Sequence, residues 1–247
     1  MKVYVVANLK GGVGKTTLAT NLAVALNNKG KSILIDADEQ QSASKWAKQR
    51  NDIECISVHS ELLTKLEEID SKYDYILIDV AGRDSTIFRE ALLVANTLIV
   101  PTQPSLLDLD VLEYMQDKIA TARKINSDLD AYVLINRASP RSNELPDAID
   151  FIKDFDQFKL LKTVLFERKQ FRDAIIESKS VTEMNASKAK DELNSLIIEL
   201  LWNCRFAMCK SMANPQKTFK YISTQPSKSN KKTKNKIRYK NHKLIKK

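Results

Sequence analysis

The decapeptide NLKGGVGKTT, residues 8–17, stands directly between an apolar run at 3–7 and a helix-like segment at 16–28. Few folds can accommodate that arrangement. Gly11, Gly12 and Gly14 reach dihedrals that a side chain would forbid, so the backbone can wrap tightly around an anion. Successive N–H groups from Gly11 through Val13 to Thr17, with the helix N-terminus behind them, then point at one centre. Lys15 adds a point charge there, and the Thr16 hydroxyl is placed to bind the Mg2+ that bridges two phosphates. These residues describe a phosphate-binding loop. The strict pattern GxxxxGK[ST] fails, because its first glycine falls on Leu9; a second lysine, Lys10, precedes the glycines instead.

Short apolar runs alternate with longer amphipathic segments along the chain, the pattern of βαβ units in a parallel sheet covered on both faces. Strands are predicted at 3–7, 32–35, 54–58, 75–79, 97–100, 132–136 and 163–166, the last helix at 186–202, and Pro101 and Pro104 are expected to end the fifth strand. The fold class is therefore α/β, a doubly wound and mostly parallel sheet. Ligands of such sheets sit beyond the carboxyl ends of the strands, where the glycine loop lies. Acidic residues end two of these strands. Asp36 and Asp38 close the second, and Asp79 follows four apolar residues in the fourth, so each can serve a hydrated cation or a water beside the phosphates.

The loop KGGVGKTT resembles the deviant Walker A motif of the ParA/MinD ATPases, closest to the small plasmid-partition ParA proteins. The resemblance runs over about residues 1–202. It implies ATP and Mg2+ as cofactors, with Lys10 as the signature lysine that reaches across an ATP-bound homodimer and Lys15 acting in cis. Segment 36–40 resembles the family's DxDPQ, with Glu39 in place of proline, which makes Asp38 the residue orienting the attacking water and Asp36 an outer-shell magnesium residue. Asp79 matches Walker B, and the following DVAGR resembles switch II of small ParA proteins. In PTQPSLLD, Asp108 is a candidate contact near the dimer face. Asn136, ending the sixth strand, is placed to read adenine. Late basic residues, Arg168, Lys169, Arg172, Lys179, Lys188 and Lys190, are candidates for binding nonspecific double-stranded DNA through phosphates.

The charge is unevenly distributed. The chain has 40 Lys+Arg against 31 Asp+Glu; 14 of those basic residues and none of the acidic ones lie in 204–247, which leaves 26 against 31 in the first 203 residues. The polar, basic segment 204–247 cannot bury enough surface to offset chain entropy and is expected to be a disordered tail behind an ATPase domain at 1–203. It suits nonspecific DNA affinity, a passive extension, or attachment to an anionic membrane, although Ile237, Tyr239, Leu244 and Ile245 make a poor apolar stripe. Cys55, Cys204 and Cys209 lack a metal-site spacing and read as free thiols. No run reaches the roughly 18 to 20 apolar residues that span a bilayer, and Met1 leads straight into the first strand. A cytoplasmic, nucleoid-associated ATPase without an N-terminal DNA-reading module is expected, released from DNA when a ParB-like centromere-binding partner stimulates hydrolysis. The alternative is a MinD-like membrane-associated positioning ATPase. Nitrogenase-reductase-like chemistry would want paired cysteines, and dethiobiotin-synthetase-like enzymes usually lack the extra lysine.

Overall fold

The computed structural model describes residues 1–69 and 72–211, with backbone alone for 106 and 202–211. Seven strands, β1 (Lys2–Val6), β2 (Ser32–Ala37), β3 (Glu54–Ser57), β4 (Tyr75–Val80), β5 (Thr97–Thr102), β6 (Asp130–Ile135) and β7 (Lys159–Leu160), form one sheet in the order β3-β2-β4-β1-β5-β6-β7. Every pairing is parallel. The helices are α1 (Lys15–Asn27), α2 (Ser42–Ala47), α3 (Leu62–Ile69), α4 (Thr86–Val94), α5 (Leu106–Leu109), α6 (Val111–Arg123), α7 (Glu144–Lys153), α8 (Lys169–Ile176) and α9 (Lys188–Ser211).

The near-continuous apolar strands are explained by burial on both faces. Side chains alternate across the sheet: Val3, Val5, Ile76, Ile78, Leu98, Val100, Val133 and Ile135 join α3, α4, α6 and α7 in one core. Tyr4, Val6, Leu34, Leu77, Ile99 and Leu134 join α1, α2, α8 and α9 in the other. The central position of β1 puts its loop at the middle of the carboxyl edge, between the loops after β4 and β5.

Two strand ends differ from expectation. Pro101 lies inside β5, paired opposite Leu134, rather than ending it. In a parallel ladder a residue's N–H and C=O face the same neighbour. The Pro101 carbonyl is held by Asn8 Nδ2 at 2.8 Å, on the side where β1 has already turned into its loop, so no ladder donor is missing. The predicted seventh strand at 163–166 is also displaced, to Lys159–Leu160, with only an isolated bridge at Phe166. The N–H groups of Lys162 and Thr163 donate to the two oxygens of Glu199 at 2.7 and 3.0 Å, and that of Phe166 to Glu192 at 3.2 Å. Two glutamates of α9 thus take backbone donors of the segment that follows β7.

Helix α9 continues to Ser211, past the expected end at Trp202, and neither Gly nor Pro interrupts it. From residue 212 the expected disordered tail lies outside the described residues. Glu199→Ala should lower the unfolding free energy by about 1–2 kcal/mol, since it strands two backbone donors at a partly exposed site, whereas Asn194→Ala on the exposed face should change it by under about 0.5 kcal/mol. Urea unfolding followed by circular dichroism checks both.

Candidate nucleotide site

Loop 8–14 is held open from behind. Gly12 and Gly14 take φ of 77° and 88°, and a Cβ on Gly14 would lie 2.5 Å from Asn136 Nδ2. Alternating left-handed residues turn backbone N–H groups toward one concavity and carbonyls away from it. Those carbonyls are individually bonded: Lys10 O accepts from Lys15 Nζ at 2.9 Å, Gly12 O from Arg137 at 2.6 Å, and Val13 O from Asn136 Nδ2 at 2.7 Å. Asn8, fully buried, accepts the Lys10 N–H at 2.8 Å while donating to Pro101. The site is therefore preformed by side chains from the ends of β1 and β6 and from the start of α1, anchored on the Pro101 carbonyl of β5.

A cleft of ≈ 750 Å³ opens over the loop, lined by Gly11, Thr16, Asp38, Arg137, Phe166 and Phe171 among others. Polar donors, Lys15, Thr16, Thr17 and Asn136, are part of that lining. Apolar side chains, Leu165, Ile175 and Leu193, contribute beside them, and a nucleotide offers both phosphates and a base to such a mixed lining.

Of the sequence-derived residues, Gly11, Gly12, Gly14, Lys15, Thr16, Thr17, Asp38 and Asn136 line this cleft. Val13 is buried beneath it. Asn136 is tied to the loop through Val13, which leaves its carbonyl oxygen and second amide N–H for a ligand. Asp38 is half-buried and accepts the Gln40 N–H at 3.0 Å. Asp36 is fully buried, and its oxygens accept the N–H groups of Asp38 at 3.1 Å and Ser44 at 2.7 Å; it fixes the segment that carries Asp38. Lys10 points away from its own loop, its ammonium 3.7 Å from Asp108 and 3.3 Å from the Leu107 carbonyl, with the side chain 43 % exposed.

Asp79 is the electrostatic anomaly. It is 1 % exposed, and neither carboxylate oxygen has a hydrogen-bond partner. Burial pushes its pKa up to about 7; the Thr16 hydroxyl and the Lys15 ammonium oppose that rise without closing a bond, and Asp36 reinforces it. Burial also lowers the Lys15 pKa, against the pull of Asp79 and Asp38. A buried unpaired carboxylate is costly. A hydrated divalent cation fits the deficit, since Mg2+ keeps several waters and needs only one or two carboxylates beside phosphate oxygens. No group of three or more Asp, Glu, His or Cys suited to a metal occurs among the described residues, so a cage built wholly of protein ligands is not what this site offers.

The late basic residues divide. Arg168 and Arg172 line the cleft. Arg168 is bonded to Glu192 at 2.5 and 2.9 Å and stacks over Phe166. Lys190 donates to the Met184 carbonyl at 3.0 Å. Lys169, Arg172 and Lys179 are exposed, and each sits beside an acidic neighbour, Asp173, Glu167 and Glu177 respectively. Lys188 is exposed at the start of α9. Sequence reading missed Asn8, Arg137 and Glu192. Only Asn8 had a local signal, its place between strand and glycines; the others act on segments about 125 and 25 residues away.

The profile of the CobQ/CobB/MinD/ParA nucleotide binding domain matches residues 4–181. The chain belongs to that family. A relative 30 % identical over 205 residues, spanning 79 % of this chain and 94 % of its own length, is the maintenance of carboxysome distribution protein A of Halothiobacillus neapolitanus. Among solved structures, a plasmid partition protein of Borrelia burgdorferi matches with TM-score 0.63 at 21 % identity, covering 82 % of this chain and 98 % of that one. A cobyrinic acid a,c-diamide synthase of Mycobacterium smegmatis, with bound ATP analogue and magnesium, matches with TM-score 0.66 at 18 % identity, covering 83 % and 96 %. These structural likenesses establish the family's fold.

The raised Asp79 pKa has a consequence for stability. Its folded value of about 7 lies above the ordinary 3.8, so the folded chain holds a proton that the unfolded chain releases. Stability of the nucleotide-free protein should therefore fall as pH rises from about 4 to about 7 and then level off. Asp79→Asn should remove that decline and add on the order of 2–4 kcal/mol at pH 8, while weakening Mg2+-dependent nucleotide binding. Thermal unfolding across pH, with and without nucleotide, measures both.

Proposed function

We propose that this protein is a ParA-type positioning ATPase: Mg2+ and ATP drive a homodimer onto nonspecific double-stranded DNA, and hydrolysis releases it. The observation that carries the reading is the orientation of Lys10. Its own loop is already completed by Lys15, and Lys10 is aimed outward beside Asp108 and the exposed Leu107, where a second protomer can present its phosphates. Roles follow from position. Lys15 neutralises phosphate charge in cis and Lys10 in trans, while the loop from Gly11 to Thr17 holds the phosphates and Asn136 the base. Thr16 and Asp79 hold hydrated Mg2+, with Asp36 in its outer surroundings. Bound magnesium would screen charge on the leaving phosphates. Asp38, fixed by Asp36 at the cleft edge, orients the attacking water.

For DNA, the exposed Lys169, Arg172, Lys179 and Lys188 are the contacts this reading uses first. Exposed ion pairs are weak, so exchanging a neighbouring carboxylate for a DNA phosphate costs little. Arg168 and Lys190, bound internally, support the surface that carries the others. The domain is assigned to 1–203 and the basic segment 204–247 to an accessory role. The working place is the cytoplasm, on the nucleoid; no helix among the described residues is long and apolar enough to cross a membrane.

The cargo has two readings. A replicon carried through a ParB-like centromere-binding protein is the first. The carboxysome-distribution relative favours a second, a protein assembly positioned by the same cycle. Partner-stimulated hydrolysis is common to both, and a MinD-like membrane cycle differs by needing lipid in place of DNA.

The full chain should bind random-sequence duplex with ATP and not with ADP, and Lys10→Ala should abolish the ATP-dependent fraction. Asp38→Ala should lower kcat by about 10²-fold or more with nucleotide affinity within a few-fold, as expected for a group acting only in the transition state. DNA retention that ignores the nucleotide, together with activation by anionic vesicles, would replace this reading with the membrane one.

A further inference from the structure

Two loops flank the water-orienting Asp38, and the sequence departs from its resemblance in one of them. Glu39 occupies the place of a proline, and its carboxylate pairs with the guanidinium of Arg83 in the loop after β4. Both side chains are more than half exposed. The two loops share a second cavity of ≈ 450 Å³, lined by Ala37 and Glu39 from one and Ala81 and Arg83 from the other, with His59 and Glu90 also in its lining. Among the described residues, the Glu39–Arg83 contact is the ion pair that spans it.

Each loop is bonded internally or to its immediate neighbours. Asp36 and Asp38 bond the backbone of 38–44. The other loop turns tightly at Arg83, whose N–H donates to the Ala81 carbonyl at 2.9 Å, and is held next door at Asp84 by Arg89, Tyr114 and Lys118 at 2.7–3.0 Å. Between them and the phosphate loop stands Gly82. A Cβ there would lie 2.9 Å from Lys15 Nζ and 3.3 Å from the Lys10 carbonyl, so the loop cannot stay indifferent to where Lys15 goes. The path runs from Lys15, which leaves no room for a side chain on Gly82, through the adjacent Arg83 to Glu39, the residue after Asp38.

We propose that the Glu39–Arg83 pair is a positioning strap that transmits the placement of the 81–83 loop against Lys15 to Asp38, making both members positioning residues for hydrolysis. Neither touches the reacting atoms. The inference rests on the ATPase reading for Asp38, and its physical core, coupling of two loops across a cavity, does not.

The test uses the full chain with Glu39→Gln, Arg83→Gln and the charge-exchanged double variant Glu39→Arg with Arg83→Glu. At low salt and saturating Mg-ATP each single variant should lose about two- to fivefold in kcat, the range an exposed ion pair supports, with KM for ATP unchanged. The exchanged double should recover most of that loss. Raising the salt from about 0.05 to 0.5 M should shrink the difference between wild type and single variants, since exposed charges are screened. Independently of activity, Arg83→Gln should raise millisecond hydrogen exchange in 38–41, more than 40 residues away in sequence. Unchanged exchange there, or losses that add in the double, would overturn the strap. A wild type that binds but does not hydrolyse ATP would overturn the Asp38 reading alone, with the exchange result still deciding the coupling.

Discussion

A loop that presents its N–H groups to an anion must dispose of its carbonyls, and that requirement organises much of this molecule. An unbonded carbonyl turned into the protein is as costly as an unbonded donor. Here Lys15, Arg137 and Asn136 each take one, and Asn8 ties the loop's start to the end of β5. The partners come from α1, from the end of β6 and, through the Pro101 carbonyl, from β5, so the loop is only as well formed as the order of strands that brings them together. Parallel pairing with β1 near the middle is what supplies neighbours on both sides.

The same concentration of function creates a deficit at Asp79. A carboxylate without partners in a fully apolar strand serves a cation and harms the chain that carries it. Lys15 does not cancel the deficit, because it is itself buried and its ammonium bonds the Lys10 carbonyl and neither oxygen of Asp79. Buried groups of opposite sign held apart give a site whose charge balance is completed by what binds there. The rest of the fold, two apolar layers over a seven-stranded sheet, supplies the stability against which that cost is set.

Helix α9 shows how one element can serve packing and site together. Its apolar face, with Leu193, Leu196 and Leu200, seals the core. Its acidic residues Glu192 and Glu199 draw in segment 162–168, whose Phe166 and Arg168 become a wall of the cleft. A strand formed at 163–166 would have directed these side chains by its pleat. Bonding from α9 directs them instead, and it occupies Arg168 with Glu192 in place of an external phosphate.

Whatever is local or periodic could be read from the residues alone. Glycine spacing, GKTT, the buried apolar runs and the acidic strand ends at Asp36, Asp38 and Asp79 depend on neighbours a few residues away, so the α/β class, the phosphate loop and most strands were legible before any coordinates. The positions of Pro101 and of the last strand were not, because each depends on which side of the sheet a donor faces or on a glutamate tens of residues distant. Nor could the sequence say that Lys10 turns outward to Asp108, that Arg137 and Glu192 belong to the site, or that Glu39 and Arg83 meet across a cavity. Those facts are pairings between carboxyl-end loops, and only the strand order, set by how two apolar faces are buried, decides which loops are neighbours.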